Sequence, residues 1–111
     1  MITALGDWIA PHPWSHFVHL TFNGMVTPEG AKKLFERYVL EQGEEVIFFR
    51  AIEWNRFGDV PHIHALIGNT KELKNWYHGI AKVEPYNAGL GARYYICKHI
   101  TSEYVDWDLN F

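Results

Sequence analysis

The sequence contains a single cysteine, Cys97, and no run of apolar residues long enough to cross a bilayer. One cysteine cannot close a disulfide within the chain, and it excludes a cluster of thiolates as a metal site. A membrane-spanning helix needs roughly 20 consecutive apolar residues, and the first residues lack the basic start and apolar stretch of a signal peptide. We therefore expect a cytoplasmic protein in which any metal is bound by histidine and carboxylate side chains.

The sequence also lacks an excess of positive charge, with 10 lysines and arginines against 13 acidic residues and a net charge of −3. Binding to nucleic-acid phosphates normally rests on a basic surface, so the overall charge argues against a general nucleic-acid binder. A GxxxxGK[ST] nucleotide-binding loop is absent too, so a helicase would have to be a separate protein. Local basic residues that could still form a stripe are Arg50, Arg56, Lys82, Arg93 and Lys98.

What the sequence does contain is a large apolar fraction, 48% of its 111 residues, with aromatic residues making up 16% of the chain. This content excludes a disordered chain and predicts a packed core. The length fits one domain over residues 1–111, with no room for a second enzymatic module. Any function must therefore lie on one small scaffold.

Alternating and helical periodicities divide the chain into predicted strands and helices. Thr27 as N-cap, Pro28 in the first turn and Gly43 at the end delimit the first helix. Pro85 has no amide hydrogen for a sheet ladder, so its strand is expected at a sheet edge. The predicted strands cover residues 16–22, 45–55, 61–67 and 82–86, the predicted helices cover 27–43, 70–81 and 92–101, and the acidic tail after residue 101 shows no clear pattern.

This order of elements is that of the ferredoxin-like split βαβ arrangement, an α+β fold. It predicts an antiparallel sheet of four to five strands with the helices packed on one face. The C-terminal helix over residues 92–101 is additional to that arrangement and carries two tyrosines. A fold by itself names no function, so the function has to be argued from side chains.

A pair of histidines interrupts the apolar strand "VPHIHALIG". Residues two apart on a strand point to the same face, so His62 and His64 stand side by side with Cα atoms about 7 Å apart. Glu53 lies on the preceding predicted strand, and the short connection allows a hairpin that brings its carboxylate beside the pair. Two imidazoles and a carboxylate form a ligand set with open positions for a catalytic divalent ion.

A single histidine is more often a hydrogen-bonded or exposed residue than a metal ligand. Two imidazoles on one apolar strand are different, because removing both from water without partners costs several kcal/mol. The metal interpretation is therefore favoured for the His-x-His pair. The histidines that we assign to the surface or to supporting positions are His12, His16, His78 and His99.

The second group of reactive side chains lies in "ARYYICKH", on the last predicted helix. Lys98 follows Tyr95 by three positions and Tyr94 by four, so either hydroxyl can share a helix face with the ammonium group. A tyrosine near a cation and a metal ion can attack phosphorus, because positive charge favours the phenolate and stabilises the transition state. The alternative is that both tyrosines only pack in the core, as tyrosines on amphipathic helices usually do.

These segments together resemble the HUH endonuclease superfamily, and in particular the single-tyrosine rolling-circle replication initiators, or Rep proteins. "FVHLTF" is similar to the first Rep motif, "PHIHALI" to the His-hydrophobe-His motif and "YICK" to the Tyr-x-x-Lys motif. Glu53 falls where many Rep proteins carry an acidic third ligand. The resemblance covers almost the whole chain, and its specificity lies in three motifs in the expected order.

The resemblance implies that Glu53, His62 and His64 hold Mg²⁺ or Mn²⁺, which polarises the scissile phosphate of single-stranded DNA. It implies that Tyr95 attacks this phosphate and leaves a 5′-phosphotyrosine and a free 3′-hydroxyl. Lys98 would steady the tyrosine or the phosphate. Because the covalent link conserves the phosphodiester energy, a 3′-hydroxyl can later reseal the strand without ATP.

The family spacing, with lysine three residues after the nucleophile, favours Tyr95 and leaves Tyr94 as the alternative nucleophile. Related two-tyrosine initiators carry a second tyrosine four residues on, where this chain has His99, so it resembles a single-tyrosine enzyme. DNA contacts are expected from Arg50, Arg56 and Arg93.

The implied function is site-specific nicking and joining of single-stranded DNA at a replication origin or hairpin of a plasmid or virus. Because the sequence has no helicase motif, a host helicase and a host polymerase would act as partners. The enzyme would work in the cytoplasm of the host cell, away from any membrane, as a monomer or as a homodimer.

Other functions remain open from the sequence. A single-strand transposase of the IS200/IS605 type would use the same site and would be recognised by dimeric cleavage in trans. A 2H phosphoesterase would need two His-x-Ser/Thr motifs, of which "HLTF" fits one and "HIHA" does not fit the other. A non-enzymatic, ferredoxin-like module would bind single-stranded nucleic acid by stacking bases on Trp54, Phe57 or Trp76. Such a module would bind in the presence of EDTA and never form a covalent adduct.

Overall fold

The computed structural model describes residues 7–9, 11–54, 61–87, 89–90 and 105–110 of the chain. Within these ranges it is an α+β protein whose strands form a single antiparallel sheet. The elements are β1 (Trp14–Leu20), α1 (Pro28–Gln42), β2 (Ile47–Glu53), β3 (His62–Gly68), β4 (Ala81–Pro85) and β5 (Val105–Asn110). In these same ranges, no helix combines the length and the apolar character needed to cross a membrane.

The strands lie in the order β4, β1, β3, β2, β5, so β3 is at the centre and β4 and β5 form the two edges. Both β1 and β2 run antiparallel to β3 and therefore run parallel to each other. Parallel strands need a crossover connection, and α1 provides it. The prediction of an antiparallel sheet with an edge strand at Pro85 is confirmed.

The first predicted helix is confirmed by α1, and the local sequence explains both of its ends. The Thr27 hydroxyl accepts a hydrogen bond of 3.0 Å from the backbone nitrogen of Gly30, which satisfies one of the free amides of the first turn. Gly43 follows the helix with a φ of 139°, a backbone conformation that glycine adopts without steric cost. Between these ends, one stripe of the helix is buried and consists of Ala31, Phe35, Tyr38 and Val39.

The two faces of the sheet differ. The face covered by α1 holds the main hydrophobic core, in which Ile63 and Ile67 of the central strand are fully buried. Burying an apolar side chain of this size stabilises the fold by roughly 1.5–3 kcal/mol. The opposite face carries a smaller apolar cluster, near the start of β1. Because side chains alternate along a strand, His62 and His64 lie on this opposite face, as predicted.

The prediction of a helix over residues 70–81 is wrong. This segment contains no helix, and its end runs beside the residues that follow β1. The backbone nitrogen of Thr21 donates to the Ile80 carbonyl oxygen at 2.9 Å, which continues the pairing of β1 with β4. The hydrophobic spacing of the segment is misleading. Ile80, which a helix would bury, is 67% exposed, whereas Trp76 is buried.

Trp76 anchors this segment to the core. Its indole nitrogen donates to the Thr21 carbonyl oxygen at 2.9 Å, and its ring packs edge-to-face against Phe22 and Tyr38. The Tyr38 hydroxyl donates to the Lys74 carbonyl oxygen at 2.8 Å. Contacts with α1 and with the end of β1 therefore override the local helix propensity.

The acidic tail, which the sequence left unassigned, forms β5 and pairs with β2 along residues 105–110. Apolar and polar residues alternate in "VDWDLN", which is the pattern of a strand with two different faces. The predicted C-terminal helix over residues 92–101 lies outside the described residues.

Candidate functional site

Three histidines meet on the sheet face opposite α1, which we call the histidine face. His64 in β3 lies directly opposite His19 in β1 in the antiparallel register, and His62 is two residues from His64 on the same strand. Directly paired residues, and residues two apart on one strand, project on the same side of a sheet. All three side chains are half-buried, so part of each imidazole is in contact with solvent.

The rings of these histidines contact one another. The Nε2 atom of His19 lies 3.4 Å from the Nδ1 atom of His62. The rings of His19 and His64 are stacked, with centroids 4.2 Å apart and an angle of 23° between their planes. His19 therefore touches both members of the His-x-His pair.

Glu53 ends β2 at the same end of the sheet. It pairs directly with His62 in the register of β2 and β3, so it projects on the histidine face. Burial raises the pKa of the Glu53 carboxyl group, and His62 partly opposes this rise. A carboxylate that has lost part of its hydration is stabilised by a cation beside it. The β2 residue opposite His64 is Ala51, which adds only a methyl group to this face.

The electrostatic surroundings of His19 favour its neutral form. Burial lowers the pKa of His19, and the neighbouring His62 and Lys82 lower it further. Neutral imidazole is the form that binds metal ions. Lys82 is exposed and pairs with His19 in the register of β1 and β4, so a positive charge stands beside the histidines.

The histidine face carries side chains of the types that bind divalent ions. Among the described residues, no three or more His, Cys, Asp or Glu side chains are already gathered into a metal site. The register of the adjacent strands β1, β3 and β2 places three imidazoles and one carboxylate on the same face. Imidazole and carboxylate are the ligands that catalytic transition-metal sites commonly use.

The sequence predicted His62 and His64 as ligands and did not assign His19 to the site. The alternation of residues 16–22 places His19 on the face opposite the core, yet alternation alone names no neighbour for it. The missing information is the strand order. Once β1 lies beside β3, the register brings His19 to His64.

Arg50, expected at the DNA surface, lies elsewhere. It is 1% exposed and pairs with Ala65, a core residue on the side of α1. Its guanidinium nitrogens lie 3.7 Å from a carboxylate oxygen of Asp106 and 3.8 Å from one of Asp108. A buried guanidinium needs such partners, and here they join β2 to β5. We therefore correct the expectation for Arg50, whose side chain is not on the histidine face.

The other predicted site residues lie outside the described residues, so their roles stay predictions. They are Tyr94, Tyr95, Lys98, Arg56 and Arg93. The described residues resume at Val105. Its backbone pairs with Glu53, the residue opposite His62. The Tyr-x-x-Lys segment therefore precedes, by a few residues of sequence, a strand that begins beside the candidate ligands.

The site is thus a set of ligand-type side chains on an open sheet face, with a lysine beside it. Its function has to be argued from this geometry, since a general α+β fold specifies none. Comparison with protein-family models, with curated proteins and with solved structures finds no match to this chain.

Proposed function

We propose that the chain is a metal-dependent, site-specific endonuclease and strand transferase of the HUH type, which nicks single-stranded DNA to initiate rolling-circle replication. The observation that carries the proposal is the register that sets Glu53 directly opposite His62, with His64 two residues further along the same face of the sheet. Imidazole and carboxylate groups on one face are the donor types that catalytic divalent ions use. The order of the three sequence motifs supports the same activity.

The proposed architecture is ferredoxin-like. In its favour, β4, β1, β3 and β2 are neighbours in that order, and α1 joins the parallel strands β1 and β2 on either side of β3. This is a split βαβ unit. Where such a fold has its second helix, this chain has the extended segment around Trp76, and β5 adds a strand beyond β2. The tyrosine-bearing helix over residues 92–101 completes the proposal.

Glu53, His62 and His64 would hold the Mg²⁺ or Mn²⁺ ion. When bound, the ion supplies Lewis-acid polarisation of the scissile phosphate. The strands fix the register of these three side chains, so their Cα positions change little during the reaction. Lys82, exposed at the edge of the histidine face, would attract the DNA backbone.

Tyr95 would be the nucleophile, with Tyr94 as the alternative. Its phenolate oxygen forms a bond to phosphorus while the bond from phosphorus to the 3′ oxygen breaks, and this oxygen takes up a proton. The products are a 5′-phosphotyrosine and a free 3′-hydroxyl. Lys98 would favour the phenolate through its positive charge. Attack by a 3′-hydroxyl on the phosphotyrosine reverses the step and joins the strand.

The partners of this activity are also proposals. They are a single-stranded origin or hairpin, a host helicase that unwinds it and a host polymerase that extends the 3′-hydroxyl. A transposase of the IS200/IS605 type would use the same residues and would cut in trans as a dimer. In the alternative of a nucleic-acid binding module, Trp76 is not available to stack on a base. Its side chain is buried, and its indole nitrogen donates a hydrogen bond to the Thr21 carbonyl oxygen.

The test is a denaturing gel of the protein incubated with labelled single-stranded oligonucleotides from its replicon and Mn²⁺. We expect a slow covalent band that disappears with EDTA and with Tyr95→Phe. If the band survives Tyr95→Phe and disappears with Tyr94→Phe, Tyr94 is the nucleophile. No band with any origin sequence would favour the binding module.

A matched pair of histidine variants tests the site itself. His62→Ala removes a proposed ligand, whereas His78→Ala removes an exposed histidine that lies outside the sheet. We expect the first change to abolish the covalent band and the second to leave it intact. Equal loss in both variants, or in neither, would contradict the assignment of His62.

A further inference from the structure

We propose that two copies of this chain dimerise by pairing the edge strand β4 of one copy with β4 of the other in antiparallel orientation. The two sheets would then form one sheet that continues across the dimer. The inference goes beyond the proposed function and does not depend on it, because it rests on the backbone and the side chains of residues 81–85.

The direction of the backbone groups of β4 follows from the hydrogen bonds at its two ends. Before the strand, the Thr21 nitrogen donates to the Ile80 oxygen at 2.9 Å. After the strand, the Tyr86 nitrogen donates to the Ser15 oxygen, also at 2.9 Å. Between these bonds the register of β4 with β1 is continuous. Alternate residues of an antiparallel strand bond to each neighbour, so the even-numbered residues of β4 bond to β1.

The odd-numbered residues Ala81, Val83 and Pro85 therefore direct their backbone groups away from the sheet. All five residues of β4 are exposed, and in the part of the chain that the structure describes no strand pairs with this edge. Lysine and proline on an edge often discourage pairing. Here the amide hydrogen that Pro85 lacks would have pointed outward, and its carbonyl oxygen can still accept a hydrogen bond.

The charges of β4 select one register for the pairing. Hydrogen bonds across the interface can form only between odd-numbered residues, so the residue at the centre is Lys82, Val83 or Glu84, each facing its own copy. Like charges directly opposite one another destabilise a strand pair, whereas opposite charges stabilise it. With Val83 at the centre, Lys82 of each copy faces Glu84 of the other. The segment is thus complementary to itself, as a two-fold interface requires.

This register also uses the outward backbone groups and covers apolar surface. The two Val83 residues would exchange both of their hydrogen bonds, and each Ala81 amide would donate to the Pro85 oxygen of the second copy. Val83 is 47% exposed and borders a groove of about 480 Å³ that Tyr77 also lines. Val83 pairs with the core residue Val18, so this groove lies on the side of α1. Pairing would bring the two Val83 side chains into contact there.

The dimer would place both candidate sites on one side. Antiparallel pairing of identical edges has its two-fold axis perpendicular to the sheet, so the same face of each copy points in the same direction. Lys82 pairs with His19 and therefore lies on the histidine face, as does Glu84 two residues later. The two histidine faces would form one continuous surface, with the pairs of Lys82 and Glu84 between them.

Sedimentation velocity over a series of protein concentrations, without DNA or metal, tests the dimer. We expect wild type to pass from monomer to dimer as its concentration rises. Lys82→Glu and Glu84→Lys should each raise the dissociation constant of the dimer by at least about tenfold, because each sets like charges opposite one another at two points. A mixture of the two variants should form a heterodimer, since every contact between them again joins opposite charges. The control Lys33→Glu makes the same charge change at an exposed position of α1 and should dimerise like wild type.

Val83→Pro tests the backbone contribution. It removes an amide hydrogen that points away from β1, so the protein should fold and remain monomeric, and circular dichroism establishes that each variant is folded. A wild type that is monomeric at every concentration would overturn the inference. So would a dimer that persists in both charge variants or in folded Val83→Pro, or a mixture of the charge variants that associates no better than either alone. None of these results bears on the nickase proposal, whose covalent band is measured separately.

Discussion

Replacing Gly79 by alanine tests whether residues 70–81 run beside β1 or form the helix that their spacing suggests. A Cβ atom at this position would clash with the Thr21 carbonyl oxygen and lie 2.7 Å from the Cα atom of Phe22. Both are backbone atoms, so rotation of a side chain cannot relieve the contact. The segment would have to move away from the end of β1.

Such a movement breaks the hydrogen bonds that hold the segment in place. They run from Thr21 nitrogen to Ile80 oxygen at 2.9 Å, from Asn23 nitrogen to His78 oxygen at 2.8 Å, and from the Trp76 indole to Thr21 oxygen at 2.9 Å. A hydrogen bond contributes about 0.5–1.5 kcal/mol net, so losing these three costs about 1.5–4.5 kcal/mol. In a helix the sign would be opposite, because alanine is about 1 kcal/mol more favourable than glycine there.

The assay is urea denaturation of wild type, Gly79→Ala and the control Gly24→Ala, each giving a free energy of unfolding. Nothing lies within 4 Å of a Cβ atom built on Gly24. We expect that control to change the free energy of unfolding by less than about 0.5 kcal/mol. A Gly79→Ala protein as stable as wild type, or more stable, would refute the extended path of this segment.

Two further predictions concern the roles of Arg50 and Lys82 in DNA binding and the effect of the Tyr38 pKa on stability. Arg50→Met should leave the salt dependence of DNA binding unchanged, whereas Lys82→Met should lower the slope of log K against log salt by about one; equal slopes in both variants would contradict the placement of Lys82. Burial, with a smaller contribution from Glu41, raises the pKa of Tyr38. A pKa raised by folding gives stability that is full below about pH 10, the value in the unfolded chain, and is lost as pH rises through the folded pKa. Tyr38→Phe should therefore reduce the fall in Tm on going from pH 9 to pH 11 that wild type shows, and an unchanged fall would contradict this reading.

The residues at its two ends were sufficient to predict α1 from the sequence. The cap at Thr27 and the stop at Gly43 define α1, because a helix end needs hydrogen-bond partners that only certain residues provide. The segment around Trp76 was not predictable in this way. Its conformation follows from the Thr21 carbonyl, which is 55 residues away in sequence, so it depends on packing that local propensity does not contain.

Apolar and polar residues alternate over residues 105–110, which is typical of a strand. The aspartates of this segment are unfavourable in strands, so β5 was not predicted. Its pairing with β2 is what buries Arg50 between Asp106 and Asp108. Basic residues are usually exposed, so the sequence favoured a DNA contact for Arg50. Only the position of the partner strand shows that this arginine is enclosed.

The candidate site, too, could be predicted only in part from local sequence. Strand alternation was enough to place His62 and His64 on one face, away from Ile63 and the core. The contact of His19 with His62 required the order of the strands, because neighbours across a sheet are set by topology and not by spacing along the chain.

The central claim is that a tyrosine of this chain becomes covalently bonded to DNA through the site on the histidine face. The most direct measurement is mass spectrometry of the protease-digested adduct formed with Mn²⁺ and an origin oligonucleotide. We expect the nucleotide to be attached to Tyr95, and His62→Ala to prevent the modification. A nucleotide on a residue other than Tyr95 or Tyr94, or an adduct that still forms with His62→Ala, would contradict it.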